Sequence, residues 1–360
     1  MLSRKLGYLI EEGVSPEVGG AERQQDILRT ALRARGHRVS ILTDAALEGA
    51  LDSEEELLFP RIPNRSGVKR AVIDPLPVVR AIAEIDPDVV LVRGHQFYTV
   101  VTMLASAFVG TPYLYWVSND KHLVPRGRSP WLIHRLFIRA VDRARGTIAQ
   151  TTRQRQQLRK RYGIDATVIP NCYEVPPTDR SPPHEAREYL LWVGRLNPAK
   201  KPRTFLDLAK RLPEIACVMI GPQSGSDTYH RDIVESIREV PNVRYEGYVP
   251  PSEIDSYYRS AIALVNTSTW EGFPNTFLEA WRFHTPVLSL THDIEGHLSE
   301  GVGGRLSGSV TQLQADAIEL ASSQPAWEST AAGARQLVET EYSVTSAVDT
   351  FEAMLSDVLS

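Results

Sequence analysis

Residues 189–220 read YLLWVGRLNPAKKPRTFLDLAKRLPEIACVMI, and this stretch decides the fold. It opens with the apolar run Tyr189–Val193 and closes with a second apolar run, Cys217–Ile220. Between the two runs, a helix is predicted to begin near Pro202, because proline is favoured at the first position of a helix. Near-continuous apolar strands separated by a helix are typical of a parallel sheet that is buried on both faces.

The same alternation of apolar runs and helical patterns continues along the chain in two sets. The first set of strand candidates is Leu6–Ile10, Arg38–Leu42, Val89–Arg93, Pro112–Trp116, Thr147–Gln150 and Ala166–Pro170. The second set adds Val243–Glu246, Ile262–Asn266 and Pro286–Leu290 to the two runs already quoted. The sequence therefore predicts an α/β protein with two doubly wound Rossmann-like domains facing each other across a cleft. Ligands of such sheets bind at the carboxyl ends of the strands.

The boundary between the two sets is predicted within Asn171–Glu188, where four prolines stand among polar residues. Proline-rich polar segments favour extended linkers over packed elements. The predicted organisation is a first domain over 1–175, a linker over 176–187, a second domain over 188–340, and a C-terminal helix over 341–360 packing back toward the first domain.

Composition agrees with a soluble globular chain. Of the 360 residues, 42% are hydrophobic and 23% are charged, and no stretch approaches the ~18 consecutive apolar residues of a membrane span. The N-terminal apolar run is broken by Glu11 and Glu12, so no signal peptide is predicted and we expect a cytoplasmic protein. Cys172 and Cys217 are too few for a disulfide framework or a zinc site.

Charge is distributed unevenly. Residues 1–175 carry 25 Lys and Arg against 19 Asp and Glu, whereas the remainder carries 15 against 25. Most of the excess lies in 121–161, where Arg135, Arg139 and Arg143 recur every four residues beside apolar Trp131, Leu132, Leu136 and Phe137. This pattern allows two alternatives: a basic amphipathic helix on an anionic membrane, at the inner face of the plasma membrane, or a helix whose apolar side packs on the sheet. A nucleic-acid partner is not expected, because the segment lacks interleaved aromatic residues.

The segment Trp270–Ala280, WEGFPNTFLEA, follows the strand candidate Ile262–Asn266. A helix is predicted to open at Pro274 or Asn275, so Glu271 lies in the loop and Glu279 about one turn into the helix. Ionised carboxylates only accept hydrogen bonds, which makes sugar hydroxyls suitable partners. The alternative is an ordinary helix with one glutamate complementing the dipole and one solvated.

The segment Gly194–Arg203, GRLNPAKKPR, gathers cations where a helix begins. Lys200, Lys201 and Arg203 stand near the positive end of the helix dipole, each at a cost of ~0.3–1 kcal/mol. A diphosphate bound between Arg195 and Lys200 would explain why cations stand at this end of the helix. The alternative is a solvated basic loop.

Other candidate residues are weaker. Gly19 and Gly20 would let the backbone approach a ligand, although a plain tight turn explains them nearly as well. His95 and His122 follow strand candidates, where histidines more often serve packing or hydrogen bonding than catalysis. The sequence has no paired acidic cluster, H-E-x-x-H or C-x-x-C pattern, so neither a metal nor another cofactor is expected.

Together these segments resemble the glycosyltransferases of family 4 (glycosyl transferases group 1), retaining enzymes with the two-domain GT-B fold. The resemblance covers nearly the whole chain. The matching motifs are Gly19–Arg23, Gly36–Val39, Ile169–Asn171, Val193–Leu196 with Lys200, Ile220–Pro222, Gly247–Pro250, and Glu271 with Glu279.

The resemblance implies that the N-terminal domain is acceptor-side and that the C-terminal domain binds the nucleotide sugar. Arg195 and Lys200 would grip the donor diphosphate, Glu271 would face the transferred sugar, and Glu279 would take the ribose hydroxyls. The remaining implied donor-binding residues are Gly19, Gly20, Tyr248, Val249, Gly272, Phe273, Asn275 and Thr276. Cationic side chains and helix N-termini, without a metal, would stabilise the leaving diphosphate.

Three departures from the family pattern stand out. Where many members carry His before Asp, this chain has Asn119-Asp120 with His122 two residues later. Asn171 is followed by Cys172 instead of glycine, and Lys201 stands where glycine often follows the lysine. The acceptor-side candidates are therefore His95, Asn119, Asp120 and His122.

The sequence thus predicts a retaining glycosyltransferase that moves a hexose or N-acetylhexosamine from a UDP- or GDP-sugar. The expected acceptor is a glycan or a polyprenyl-linked glycan, in surface polysaccharide or glycolipid synthesis. Two alternatives remain open: a nucleotide-sugar 2-epimerase, and a nucleotide-sugar-binding protein without turnover.

Overall fold

The computed structural model describes residues 3–9, 20–44, 56–59, 76–94, 96–118, 123, 131–176, 182–224 and 226–360. The chain divides into two compact units. Unit 1 comprises Met1–Asn171 together with Val344–Ser360, and unit 2 comprises Cys172–Ser343. The first unit thus ends at Asn171, four residues before the predicted boundary, and the described residues of the predicted linker belong to unit 2.

The strands and helices alternate along the described chain. The strands are β1 Lys5–Leu9, β2 Arg38–Asp44, β3 Glu56–Phe59, β4 Val89–Arg93, β5 Tyr113–Trp116, β6 Gly146–Ala149, β7 Thr167–Val168, β8 Tyr189–Val193, β9 Ala216–Ile220, β10 Val243–Tyr245, β11 Ala261–Asn266, β12 Val287–Ser289 and β13 Gly304–Leu306. The helices are α1 Gly20–Ala34, α2 Leu76–Ile85, α3 Gln96–Val109, α4 Trp131–Arg143, α5 Thr152–Tyr162, α6 Pro202–Lys210, α7 Asp227–Arg238, α8 Ile254–Ser260, α9 Asn275–Trp281, α10 Val310–Ser322, α11 Gln324–Thr340 and α12 Val344–Leu359.

Unit 1 is built on a parallel sheet of seven strands in the order β3-β2-β1-β4-β5-β6-β7. Its central strand β4 is buried along its whole length, as expected for a strand with apolar residues facing both sides. Local sequence sets the helix ends: Thr151 caps α5 by accepting from the Gln154 N–H, and Gly163 ends it in the left-handed region at φ 71°. The strand order reverses between β1 and β4, which makes the sheet doubly wound.

The C-terminal helix α12 belongs to unit 1 and is joined to the end of α1 by polar contacts. The Arg35 guanidinium pairs with Asp349 at 2.7 Å and with Glu352 at 3.2 Å. The buried Glu352 carboxylate also lies 3.0 Å from His37 Nε2. These contacts connect residues more than 300 positions apart in the sequence.

The helix α4 has an apolar side that packs into the core of unit 1. Phe137 is fully buried there with Ala140 and Val141, whereas Arg135, Arg139 and Arg143 are exposed. The basic stripe exists, but of the two alternatives the structure favours packing on the sheet for the described apolar side. Within the described chain, no helix combines the length and apolar character that a bilayer crossing requires.

Unit 2 is built on a parallel sheet of six strands in the order β10-β9-β8-β11-β12-β13. Its order reverses between β8 and β11, so this sheet is doubly wound as well. The loops after β8 and β9 touch at Gly221, where an added Cβ would lie 1.9 Å from the Gly194 carbonyl oxygen. Only glycine fits such an approach, which fixes the path of the loop that begins at Gly194.

The predicted fold class is confirmed in both units, each of which has a doubly wound parallel sheet with helices. Two strands, β3 and β13, were not predicted from the sequence. Both lie at the edges of their sheets.

Candidate functional site

The candidate site lies at the carboxyl ends of β8 and β11, the two strands at the switch point of the unit 2 sheet. The loop after β8 ends at Lys201, whose left-handed backbone (φ 48°) precedes Pro202 at the start of α6. Thr267, directly after β11, joins the two loops: its hydroxyl donates to the Lys200 carbonyl at 2.8 Å and accepts from Trp192 Nε1 at 3.0 Å. The fold therefore brings together the segments Gly194–Arg203 and Trp270–Ala280.

The two segments also meet through an ion pair. Lys200 Nζ lies 2.6 Å from Glu271 Oε1, and the Glu271 side chain is only 10% exposed. Asn266, the last residue of β11, points its Nδ2 at the same carboxylate oxygen at 3.3 Å. The loop glutamate and the loop lysine, 71 residues apart in sequence, thus form one charged pair.

The environment of Glu271 shifts the pKa of its carboxyl. Burial, the largest influence, raises this pKa, but the Lys200 charge and hydrogen bonds from Lys200, Ser268 and Asn266 together outweigh burial and lower it. Glu271 is therefore ionised at neutral pH, and its negative charge is balanced by Lys200.

The side chain of Arg195 differs from that of Lys200 in its exposure and in its partners. Arg195 is exposed, and its guanidinium makes no hydrogen bond or ion pair within the described ranges of the chain. Arg203, by contrast, donates to Ser236 Oγ at 3.2 Å, away from the Lys200–Glu271 pair. Of the cations in this segment, Arg195 offers a fork of donors with room for a bidentate anion.

Glu279 lies on α9, which begins at Asn275 as predicted, and its carboxylate is buried. Both oxygens accept hydrogen bonds from tyrosines: Oε1 from Tyr173 Oη at 2.5 Å and Oε2 from Tyr258 Oη at 2.6 Å. Neither tyrosine was predicted from the sequence, because neither stands in a motif that could have revealed it.

The other predicted donor-binding residues of unit 2 lie after β10, after β11 and in the first turn of α9. Tyr248 is 47% exposed and Val249 is half-buried, after a turn in which Gly247 accepts from the Gly221 N–H at 2.7 Å. Phe273 is buried, and its ring meets that of Tyr342 edge-on with 6.0 Å between the ring centroids. The half-buried members of the set are Gly272, Asn275 and Thr276.

The remaining predicted site residues belong to unit 1. Gly20 is the exposed first residue of α1. Gly19, His95, Asn119, Asp120 and His122 lie outside the described residues.

One further loop at this site was missed. Thr291, after β12, donates from Oγ1 to the Ser268 carbonyl at 2.8 Å and so joins the loop that carries Glu271. Strand β12 pairs with β11 in parallel, so the carboxyl ends of the two strands are neighbours. The two successive strand candidates were therefore the sequence signal that could have pointed to the Thr291 loop. Within the described ranges, no group of three or more His, Cys, Asp or Glu side chains is arranged to hold a metal ion.

Comparison with known families gives two matches, one in each half of the chain. The model described as Glycosyltransferase Family 4 matches residues 18–175, and the model described as Glycosyl transferases group 1 matches residues 178–319.

Curated relatives match over part of their length. A D-inositol 3-phosphate glycosyltransferase of Frankia alni is 31% identical over 162 residues, 41% of this chain and 40% of that protein. O-antigen chain mannosyltransferase B of Escherichia coli is 30% identical over 105 residues, 28% of each chain. The matches thus span less than half of these relatives.

Among solved structures, HepE of Anabaena, crystallised with UDP and glucose, superposes with a TM-score of 0.76. It covers 98% of this chain and 100% of its own at 19% identity. At that identity, the likeness concerns the fold.

Proposed function

The chain belongs to the glycosyltransferases of family 4, and from this premise we propose that it is a retaining enzyme using a nucleotide sugar. The proposed donor is a UDP- or GDP-linked hexose or N-acetylhexosamine. The proposed acceptor is a glycan or a polyprenyl-linked glycan in surface polysaccharide or glycolipid synthesis. The E. coli relative, an O-antigen chain mannosyltransferase, supports this acceptor class, and HepE, crystallised with UDP, supports a nucleotide donor.

One observation carries the proposal: the Lys200–Glu271 ion pair at 2.6 Å, in a loop that also presents the exposed guanidinium of Arg195. A donor diphosphate carries negative charge that Arg195 and Lys200 can balance. Glu271 can accept hydrogen bonds from the hydroxyls of the attached sugar. Cations and a hydroxyl acceptor on adjoining loops match the two ends of a sugar diphosphate.

In the proposed reaction, the bond between sugar C1 and the β-phosphate oxygen breaks, and a bond from the acceptor oxygen to C1 forms on the same face. The acceptor proton passes to a phosphate oxygen of the leaving diphosphate. Arg195 and Lys200 stabilise the charge that develops on this diphosphate, which is often the largest contribution to such catalysis. Glu271 orients the sugar during the transfer.

Incubation with UDP-glucose, UDP-N-acetylglucosamine or GDP-mannose, without acceptor, tests the reaction class. A transferase releases UDP or GDP slowly by transfer to water, and the Arg195→Ala variant should release less. A nucleotide-sugar 2-epimerase would instead yield an epimerised sugar nucleotide. A binding protein would give no product although the donor stabilises it, by ~2.7 kcal/mol at 100 times the dissociation constant.

We further propose that the exposed arginines of α4 hold unit 1 at an anionic membrane surface. The support is electrostatic: Arg135, Arg139 and Arg143 are exposed on one helix, and a basic residue near such a surface contributes about 1 kcal/mol. Helix α3, which packs beside α4, adds an apolar side chain, since Phe108 is 79% exposed.

Co-sedimentation with vesicles of neutral and of anionic lipid tests this second proposal. Arg135→Glu/Arg139→Glu should lose binding to anionic vesicles, and added salt should weaken binding by the native protein. The matched control is Arg231→Glu/Arg238→Glu, which makes the same charge change on exposed positions of α7 in unit 2. Equal loss in both variants, or equal recovery on neutral vesicles, would mean that α4 is not the contact.

A further inference from the structure

The backbone of Lys200 is held at two points in addition to the ion pair of its side chain with Glu271. The Lys200 N–H donates to Asn197 Oδ1 at 3.1 Å. The Lys200 carbonyl accepts from the Thr267 hydroxyl at 2.8 Å, and the same hydroxyl lies 3.1 Å from the Lys201 carbonyl oxygen. Side chains from the loops after β8 and β11 thus fix the backbone on both sides of this lysine.

The stem of the Lys200 side chain passes close to the backbone at Gly194, directly after β8. A Cβ added at Gly194 would lie 3.6 Å from Lys200 Cδ and 3.3 Å from Cη2 of the Trp192 ring. Glycine at this position therefore leaves room for the lysine stem beside the indole. The stem, like the backbone, has a defined path toward Glu271.

The indole of Trp192 in turn orients the hydroxyl of Thr267. Trp192 Nε1 donates to Thr267 Oγ1 at 3.0 Å, and the two residues are only 2% and 1% exposed. Because the indole N–H can only donate, the Thr267 hydroxyl directs its single hydrogen to the Lys200 and Lys201 carbonyls. Loss of one member would leave a buried polar group without its partner, which is costly. The hydrogen-bonded chain from Trp192 through Thr267 to Lys200 is therefore held in one arrangement.

A cation stabilises a transition state best when it already lies where negative charge develops. A displacement of about 1 Å can lower a rate ~100-fold. The contacts described above act on the backbone and stem of Lys200, so they can set the position of its ammonium without binding the donor. We propose that Trp192 and Thr267 are positioning residues that hold the Lys200 ammonium where the leaving diphosphate develops its charge. This inference rests on the proposed function, in which Lys200 stabilises that diphosphate.

Steady-state release of UDP or GDP, with UDP-glucose, UDP-N-acetylglucosamine or GDP-mannose as donor, tests the inference. Thr267→Val replaces the hydroxyl by a methyl group, and Trp192→Phe removes the indole N–H. Each should lower kcat about 10- to 100-fold and change the donor KM less than about threefold, because alignment of the cation matters most in the transition state. Thr267→Ser retains the hydroxyl and should keep the native kcat.

Trp327→Phe and Thr330→Val are the matched controls. Trp327 Nε1 donates to the Ile262 carbonyl at 2.8 Å, and Thr330 Oγ1 donates to the Ala326 carbonyl at 2.8 Å. The controls thus remove the same two kinds of side-chain hydrogen bond from unit 2, at positions outside the loops after β8 and β11. Both should keep the native kcat. An equal fall of kcat in the controls and in the test variants would mean a general loss of stability and would overturn the inference.

Combination with Lys200→Ala asks whether Thr267 acts through Lys200. If it does, adding Thr267→Val to Lys200→Ala should lower kcat no more than about twofold further, because the two residues act as one unit. A fall by the same factor in both backgrounds would mean that Thr267 acts elsewhere, and the inference would be wrong while the donor site stands. Should Thr267→Val fail to fold, Trp192→Phe is combined with Lys200→Ala in the same way.

The single variants separate failure of the inference from failure of the proposed function. If Lys200→Ala loses turnover while Thr267→Val and Trp192→Phe keep the native kcat, the positioning role is wrong and the proposed function stands. If Lys200→Ala keeps the native kcat, the assignment of Lys200 to the diphosphate is wrong, and the inference fails with it. Absence of release by the native protein from all three donors would contradict the proposed function itself.

Discussion

Glu271 and Glu279 stand eight residues apart in one motif, but different chemistry surrounds each. Glu271 lies in a loop and is paired with the ammonium of Lys200 at 2.6 Å. Glu279 lies on a helix, and both of its oxygens accept hydrogen bonds from tyrosine hydroxyls. The first carboxylate has a cation that balances its charge, and the second has phenols that fix its direction.

The difference bears on what each carboxylate can do during a reaction. A carboxylate paired with a flexible lysine can exchange that partner for a ligand as charge moves. A carboxylate that accepts hydrogen bonds from two buried tyrosines is held in one orientation. We therefore expect Glu271 to affect the chemical step and Glu279 to affect donor binding.

The largest expected effect comes from removing the cations on the Glu271 side. Lys200→Ala and Arg195→Ala should each lower turnover by roughly 10²–10³, as loss of one group that stabilises transition-state charge commonly does. Steady-state assays of UDP or GDP release measure the effect. Lys201→Ala is the matched control and should change turnover far less. A larger loss in Lys201→Ala than in Lys200→Ala would mean that Lys201 is the diphosphate contact.

The functional difference between Glu271 and Glu279 is tested by replacing each carboxylate with the isosteric amide. Glu271→Gln should mainly lower kcat, whereas Glu279→Gln should mainly raise the donor KM, by about tenfold for ~1.4 kcal/mol of lost hydrogen bonding. Initial rates over a range of donor concentrations separate the two constants. The same pattern in both variants would remove the functional distinction between the two carboxylates.

A smaller effect is expected in the dependence of stability on pH. The pKa of Glu271 in the folded protein lies below its ordinary value of 4.5, so its ionisation stabilises the fold above that pH. This contribution is lost as the pH falls through the lowered pKa. In Lys200→Met, the pKa of Glu271 should be higher than in the native protein. Burial still raises this pKa, and the charge and hydrogen bond of Lys200 no longer lower it. Urea unfolding from pH 6 to 3 should therefore show a smaller acid loss of stability in Lys200→Met than in the native protein.

A still smaller effect is expected where the loop after β8 enters α6. Lys201 has a left-handed backbone at φ 48° and ψ 55°, a region that costs a residue with a Cβ about 1 kcal/mol and costs glycine little. Lys201→Gly should therefore raise the free energy of unfolding by up to ~1 kcal/mol, while Lys201→Ala should give no gain. A loss of stability in Lys201→Gly, measured by urea unfolding, would show that the lysine side chain itself stabilises the loop.

No effect is expected from removing divalent metal. Arg195 and Lys200 supply the positive charge in our proposal, so turnover should survive excess EDTA. The assay is donor turnover before and after chelation and after adding back Mg²⁺ or Mn²⁺. Abolition by EDTA with recovery on adding metal would contradict this account of the leaving diphosphate.

Much of the fold could be predicted because buried parallel strands are continuous apolar runs. The run Tyr189–Val193 predicted β8 with the bounds that the structure has. The strands β3, ELLF, and β13, GRL, were missed because they contain three apolar residues and one apolar residue. Such strands need little apolar sequence, so their pattern does not stand out from the loops around them.

The candidate site was predictable where residues stand in the loops at the switch point of the sheet, and not where residues from other segments reach those loops. Lys200 and Glu271 stand in the loops that follow β8 and β11, so the switch-point rule points to both. Tyr173 and Tyr258 reach Glu279 only through folding, and a lone tyrosine gives no sign of its partner. Similarly, the sequence alone did not show whether the apolar side of α4 packs on the sheet, and the burial of Phe137 was needed to show it.

The division of the chain has a consequence for the order in which the protein is made. Unit 2 is continuous from Cys172 to Ser343, whereas unit 1 needs Val344–Ser360 in addition to its first 171 residues. On the ribosome, all of unit 2 is therefore synthesised before the helix whose Glu352 binds Arg35 of unit 1. Domains generally fold as units during synthesis, with the N-terminal one first. Here the unit that begins first can be completed only last, and the face of α1 that receives α12 stays uncovered while unit 2 is being made.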